Sequence, residues 1–211
     1  EQAEVRRAAA WALSFVADTT AVKALAAQAL KETDPAVAAS LYASSFRAFM
    51  QAKPDHDPEE LLAALVKSSG YQRACIAEVL CRMPKEKLAP VEGRYVELLH
   101  REGDPDAKMF LIAGMKNFSG GLAKTAVKEL LHDRDPKIRV AALRTYAKIM
   151  GNTAAPELFH AVDDSFPAVR STAVELLQGM DALDGDTCWT AGQESPDVMV
   201  KIQLYGLAVK F

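Results

Sequence analysis

Apolar residues return along this chain at intervals of three and four. Ile138, Ala142, Tyr146 and Ile149 make one such run, and Val169, Ala173, Leu177 and Met180 make another. Near the start, Val5, Ala9, Leu13 and Val16 keep the same intervals. On a helix that spacing gathers the apolar side chains onto one face, which packs on a neighbour. Shorter striped runs lie between these. Residues 21–31 carry Val22, Leu25, Ala26, Ala29 and Leu30, and residues 58–67 carry Leu61, Leu62, Leu65 and Val66. Residues 95–100, 122–132 and 156–162 repeat the pattern. The pattern predicts helix, short turn, helix, many times over. Lys53-Pro54-Asp55, Pro84-Lys85, Ser119-Gly120-Gly121, Gly151-Asn152 and Asp184-Gly185-Asp186 break the chain between pairs. No stretch alternates as a strand would. The last pair is the weakest, because its first helix must run through Cys188, Trp189, Gly192 and Gln193.

The turn inside each pair is written in a recurring phrase, with a Pro, an apolar residue two later and often a basic residue next. Asp34-Pro35-Ala36-Val37, Asp104-Pro105-Asp106-Ala107-Lys108 and Asp135-Pro136-Lys137-Ile138-Arg139 are three copies. Phe166-Pro167-Ala168-Val169-Arg170 and Ser195-Pro196-Asp197-Val198 are two more, and Ser69-Gly70-Tyr71-Gln72-Arg73 and Ala3-Glu4-Val5-Arg6 are degenerate ones. Counted at the Pro slot, the copies fall at 3, 35, 70, 105, 136, 167 and 196, in steps of 29 to 35 residues. Pro suits the first helical position because its missing N–H has no partner there, and a preceding Asp or Ser can accept from the exposed first-turn N–H groups. Each slot is therefore expected to open the second helix of a pair.

Helix pairs repeated at this period stack in series. The D-P-x-V-R turn and the V-R-x-x-A-x-x-A-L helix after it resemble HEAT repeats, and the short period resembles their bacterial and phycobilisome-lyase-like subclass. The residues that carry the resemblance are Val5-Arg6-Arg7-Ala8-Ala9-Ala10-Trp11-Ala12-Leu13, Ile138-Arg139-Val140-Ala141-Ala142-Leu143 and Val169-Arg170-Ser171-Thr172-Ala173-Val174. The resemblance implies an all-α fold, a right-handed α-solenoid of about six stacked helical hairpins in a HEAT-like superhelix, as one repeat domain over residues 1–211. Because the first copy opens inside a second helix, the chain is expected to be a piece of a longer array. The resemblance also implies a charge ladder between neighbouring repeats. Asp34, Asp104 and Asp135 would pair with some of Arg6, Arg73, Lys108, Arg139 and Arg170. An arginine one turn into a helix faces an unfavourable local dipole, so it needs a carboxylate nearby.

Composition agrees with this reading and narrows function. Half of the 211 residues are apolar but only 7% aromatic, which suits close-packed helices. Twenty-five Lys and Arg against 28 Asp and Glu give a net charge of −3, which fits neither a basic nucleic-acid binder nor a disordered acidic tail. Cys75, Cys81 and Cys188 cannot make a disulfide framework, and Cys75 and Cys81, six apart on one helix, point about 120° away from each other. A reducing, cytoplasmic location is expected. No window approaches the ~20 apolar residues of a membrane span. Residues 8–17, after Arg6 and Arg7, superficially look like a secretory signal, but Glu1 and Glu4 stand where basic residues belong and the stretch fits the repeat.

Candidate chemistry is sparse. Asp55-His56-Asp57 with Glu59 and Glu60 looks like an oxygen-rich metal loop, yet reads more simply as a helix start with Asp57 as cap, Pro58 first and Glu60 third. Asp181, Asp184 and Asp186 lack the ligand spacing of a calcium loop. His56, His100, His132 and His160 show no zinc spacing, and no phosphate loop or nucleophile elbow is present. No catalytic, metal or cofactor site is expected. The surface left for function is the exposed face of the second helices, four, eight and eleven residues after the slot, which in a solenoid lines the concave side. Its prominent members are Arg7, Trp11, Phe46, Glu78, Met109, Lys116, Arg144 and Glu175, and the last copy contributes Val200, Leu204 and Leu207. The stripe mixes signs and exposes apolar groups, which suits a protein or peptide rather than a nucleic acid, a membrane or a small molecule. The expected role is a non-catalytic interaction or scaffolding module. Two other roles follow from resemblance alone: bilin-lyase-like handling of a tetrapyrrole, and a HEAT-like DNA glycosylase, which the acidic balance and the distance in sequence between Trp11 and Trp189 disfavour.

Overall fold

Every regular element among the described residues is a helix. This computed structural model describes residues 2–16, 18–52, 56–68 and 71–211. The fold is all-α and built of helical hairpins, as the periodicity predicts. The Lys53-Pro54-Asp55 breaker and the Ser69-Gly70 turn lie outside the described residues. The chain falls into two compact units, Glu1–Phe110 and Leu111–Phe211.

The first unit holds α1 (Ala3–Leu13), α2 (Thr19–Ala29), α3 (Pro35–Ala52), α4 (Pro58–Lys67), α5 (Tyr71–Arg82), the single turn α6 (Lys85–Leu88) and α7 (Glu92–Arg101). Next comes α8 (Pro105–Gly114), which runs through the division. α2 closes on α3 and α4 on α5, while α3 also packs on α1 and α5, so the second helices form one layer. In the other layer α4 packs on α7. On α3 the residues at the same intervals from the Pro slot, Val37, Leu41, Ser45 and Ala48, are buried. Ala10, Leu25 and Ala29 complete a cluster with it. On α1 and just beyond it the corresponding Val5, Leu13 and Val16 are 55, 45 and 46% exposed. The face that α2 covers on α3 is uncovered on α1 among the described residues.

The second unit continues with α9 (Gly121–Leu130), α10 (Pro136–Met150), α11 (Ala155–Ala161), α12 (Pro167–Gln178), α13 (Gly185–Glu194) and α14 (Val198–Lys210). α9 packs on α10, α11 on α12 and α13 on α14, and α12 lies between α10 and α14. The stripe Val169, Ala173, Leu177, Met180 is buried, as predicted, and so are Ile138, Ala142 and Tyr146, while Ile149, the fourth member of their stripe, is half-buried. The last pair forms despite its glycines, and one of them is the reason. A Cβ on Gly192 would lie 2.7 Å from the Tyr205 ring, so glycine is what lets α13 approach α14 there. Trp189 covers the same ring, with centroids 4.7 Å apart.

The slot holds for Pro35, Pro105, Pro136 and Pro167, each the first residue of its helix. It fails at Pro196. α14 begins at Val198, where the Asp197 carboxylate accepts from the Met199 and Val200 N–H groups at 2.9 and 3.3 Å. A carboxylate two residues beyond Ser195 is the stronger cap, and starting there turns Val200, Leu204 and Leu207 inward. With Val198 as the slot, the last step is 31 residues, equal to the two before it.

A ladder links neighbouring turns, with four of the five expected cations and different anions. Arg6 reaches Glu32 at 2.8 Å, Arg73 reaches Glu102 at 2.7 Å, Arg139 reaches Asp164 at 2.7 Å and Arg170 reaches Asp197 at 2.6 Å. Asp34, Asp104 and Asp135 do not take these bonds, because each caps its own helix. Asp34 accepts from the Ala36 and Val37 N–H groups, Asp104 from Ala107 and Asp135 from Lys137. A carboxylate one residue before the slot sits over its own first turn. Asp104 and Asp135 still add longer-range attraction to Arg73 and Arg139. The ladder acid stands two residues earlier, at Glu32, Glu102 and Asp164, where it also accepts the N–H of Asp34, Asp104 or Phe166.

Three of these guanidinium groups, those of Arg73, Arg139 and Arg170, have a second grip. Arg73 Nη1 donates to the Leu65 and Ser68 carbonyls, Arg139 Nη1 to those of Asp133 and Arg134, and Arg170 Nη1 to that of Asp164. One cation thus satisfies carbonyls where its own first helix ends, then bridges to the next turn. In the last copy Ser195 replaces the acid, and Arg170 turns to the cap Asp197 instead. Lys108 and Asp133 occupy the cation and anion places between the Pro105 and Pro136 copies. One rung has neither, since Ala38 and Lys67 stand where the cation and acid belong.

Candidate functional site

The exposed face of the second helices is only partly what the stripe predicts. Arg7 and Trp11 are exposed on α1, Trp11 to 58%. Phe46 and Met109 are half-buried, and Lys116 is exposed on a tight turn just after α8. Glu78 pairs with Arg82 one turn on, and Arg144 of α10 reaches Glu175 of α12 at 2.9 Å, with both side chains exposed. The last three members, Val200, Leu204 and Leu207, are buried, because α14 starts two residues later than the Pro slot implies. Val198, Met199, Ile202 and Val209 are exposed in their place.

Two grooves differ in character. The first lies between α1 and α3, with a volume of about 320 Å³, and is lined by Glu4, Arg7, Ala8, Trp11 and Ser40. The Trp11 indole stands edge-on to Phe15, with centroids 4.8 Å apart, and Ser14 donates to the Trp11 carbonyl at 2.6 Å. The two rings therefore pack on each other while remaining open to solvent.

The second groove is larger, about 830 Å³, and runs between the first helices α11 and α13. Phe159, Leu183 and Ala191, all half-buried, line its apolar part. Asp163, Asp184, Asp186 and Glu194 stand exposed around it, and no Lys or Arg is among its lining residues. The Thr187 hydroxyl and N–H, both donating to Asp184, hold that carboxyl below its ordinary value. It therefore stays ionised at neutral pH. The sequence marks Asp184-Gly185-Asp186 as a break between helix pairs without calcium-loop spacing and does not reveal the groove, which depends on where α11 and α13 meet.

The remaining candidates stay structural. His56 is buried and stacks on Phe49 with centroids 4.3 Å apart, and Asp57 caps α4 by accepting from the Glu59 N–H, the helix start that the sequence indicates. Asp55 lies outside the described residues. His100, His132 and His160 are exposed. Among the described residues no three His, Cys, Asp or Glu side chains gather as a metal site, and no helix is long and apolar enough to cross a membrane. Cys75, Cys81 and Cys188 are free thiols. Burial pushes the Cys75 thiol up to about 11, so it remains protonated near neutrality.

Residues 94–178 match the family model described as HEAT repeats. The resemblance read from the turn phrase is borne out over that stretch, which runs from within α7 to the end of α12 and contains the Arg139–Asp164 rung. No curated protein matches the chain.

Proposed function

We propose that this protein is a non-catalytic protein-binding module that engages its partner through the exposed face of its second helices. The observation that carries this reading is the groove between α1 and α3, where Trp11 is 58% exposed yet braced by Phe15 and flanked by Arg7. An exposed, pre-positioned tryptophan beside an arginine is the combination that dominates binding energy at protein interfaces, because it adds large contact area at little cost in side-chain freedom. HEAT repeats broadly serve protein interaction, and the match over residues 94–178 supports the same class of role. The test compares capture of cellular proteins by the full chain with capture by a Trp11→Ser, Arg7→Glu double variant of unchanged helicity and melting temperature. Loss of a specific set of partners is the expected result. Retention of every partner by a folded double variant overturns the proposal.

A further inference from the structure

The two gaps between neighbouring first helices of the second unit are closed differently. Between α9 and α11, Lys128 crosses the gap to Glu157 with Nζ–Oε1 at 2.7 Å, and the cavity left there is about 290 Å³. Glu157, drawn upward by burial, is nonetheless held below its ordinary pKa by that ammonium, so the rung is ionic. One repeat later, the position of Lys128 relative to the slot is taken by Phe159 and that of Glu157 by Cys188. No cation crosses, and the gap between α11 and α13 widens to about 830 Å³. Its apolar lining and four carboxylates face solvent with no Lys or Arg among them. The fold thus shows within itself how such a gap is filled, by a lysine whose stem lies across the helices and whose ammonium meets a carboxylate.

We propose that the groove between α11 and α13 docks a segment of a partner protein that carries lysines or arginines around an apolar anchor residue. The anchor lies on Phe159, Leu183 and Ala191, and the flanking cations meet Asp163, Asp186 and Glu194. Charge complementarity of this kind sets orientation and speeds encounter, while the apolar contact supplies most of the residence time. The site lies on first helices, so it does not depend on the Trp11 surface, and Trp11→Ser leaves it intact.

The probe is a fluorescein-labelled heptapeptide, Lys-Lys-Leu-Lys-Leu-Lys-Lys, titrated into the full chain at moderate salt. Two controls accompany it, one with both leucines replaced by serine and one with every lysine replaced by glutamate. Amide chemical-shift changes locate the bound peptide. The expected result is saturable binding with shifts at Phe159, Leu183, Thr187, Thr190 and Ala191, with each control about tenfold weaker or worse. Asp186→Asn with Glu194→Gln weakens the probe about tenfold, and Thr190→Trp, which fills the groove from an exposed position, abolishes binding without altering helicity. Three outcomes overturn the proposal: no saturable binding, equal binding of the serine control, or shifts spread over other acidic surfaces and indifferent to Thr190→Trp. Concentration-dependent self-association of the chain that protects the same amides also overturns it, by assigning the groove to a second copy.

Discussion

The two units share one turn phrase and keep it with different regularity. In the second, the slots at Pro136, Pro167 and Val198 stand 31 residues apart, and both Arg139 and Arg170 reach the following turn. In the first, the slots at Pro35 and Gly70 are 35 apart, and Ala38 and Lys67 stand where a rung belongs. The cation and its acid are absent together. That is the electrostatically consistent choice, since an arginine at Ala38 would approach Lys67, and an acid at Lys67 would lack its cation. Where the acid alone is missing, at Ser195, Arg170 takes the cap Asp197 instead, and hairpins close on each other by apolar burial with or without a rung.

The sharpest test of that contrast lies in the covered and uncovered stripes. Leu177→Ala on α12 removes a fully buried side chain and should lower the unfolding free energy by about 3 kcal/mol in urea denaturation followed by helical circular dichroism. Leu13→Ala, at the corresponding place on α1 but 45% exposed, should cost less than about 1 kcal/mol. Equal losses would mean that α1 is as enclosed as α12, and the contrast would collapse.

Arg139→Ala comes next. Its side chain is 10% exposed and that of Asp164 15%, so the substitution strands a largely buried carboxylate and should cost about 3 kcal/mol. Acid separates this ionic part from lost packing. Burial pushes the Asp164 carboxyl up, but the Arg139 guanidinium and the Phe166 N–H outweigh it, leaving its pKa below the ordinary 3.8. A carboxyl depressed on folding stabilises fully above its unfolded pKa and loses that contribution as the pH falls through the folded value. Wild type should therefore lose stability more steeply below about pH 4 than Arg139→Ala does, and parallel acid limbs would show that the rung is not electrostatic.

Building the missing rung is a smaller effect in the opposite direction. Ala38→Arg with Lys67→Glu should exceed the sum of the single substitutions by about 1 kcal/mol in a double-mutant cycle, with Ala38→Arg alone neutral or unfavourable. Additive singles would show that the 35-residue step has carried the two positions out of reach. The smallest effect is expected at Arg144→Ala. Its pair with Glu175 is exposed on both sides, so melting should shift by no more than about 0.5 kcal/mol implies.

Much of this architecture can be read from the chain because helical periodicity and N-terminal capping are local. Ile138, Ala142 and Tyr146 declare a buried face by spacing alone, and Asp135-Pro136 declares where the helix begins. Two errors came from choosing between near neighbours. Both Asp34 and Glu32 are carboxylates in the turn, and only the backbone trajectory determines which caps and which bridges. The acid two residues before Asp34, Asp104 and Asp135 does recur in the sequence, so the signal was available in Glu32, Glu102 and Asp133. At the last copy, Ser195-Pro196 and Asp197 both offered a start, and burial of Val200 and Leu204 decided for the later one. The α11–α13 groove was unreadable for another reason. It depends on the distance between helices, which no single residue in either helix encodes.

The double grip of Arg73, Arg139 and Arg170 bears on where this chain can change length. Arg139 and Arg170 both hold groups of Asp164, one by its carboxylate and the other by its carbonyl, so a residue inserted between Val162 and Pro167 would pull the turn off two guanidinium groups at once. The segment from Gly151 to Ala154 links the same hairpins and carries no rung, and an extra residue there can loop outward. Insertions and deletions should thus be tolerated between hairpins and rejected inside them. That asymmetry accounts for a repeat whose step wanders from 31 to 35 residues while the acid, cap and proline of its turn stay at constant spacing in Glu32-Thr33-Asp34-Pro35, Glu102-Gly103-Asp104-Pro105 and Asp133-Arg134-Asp135-Pro136.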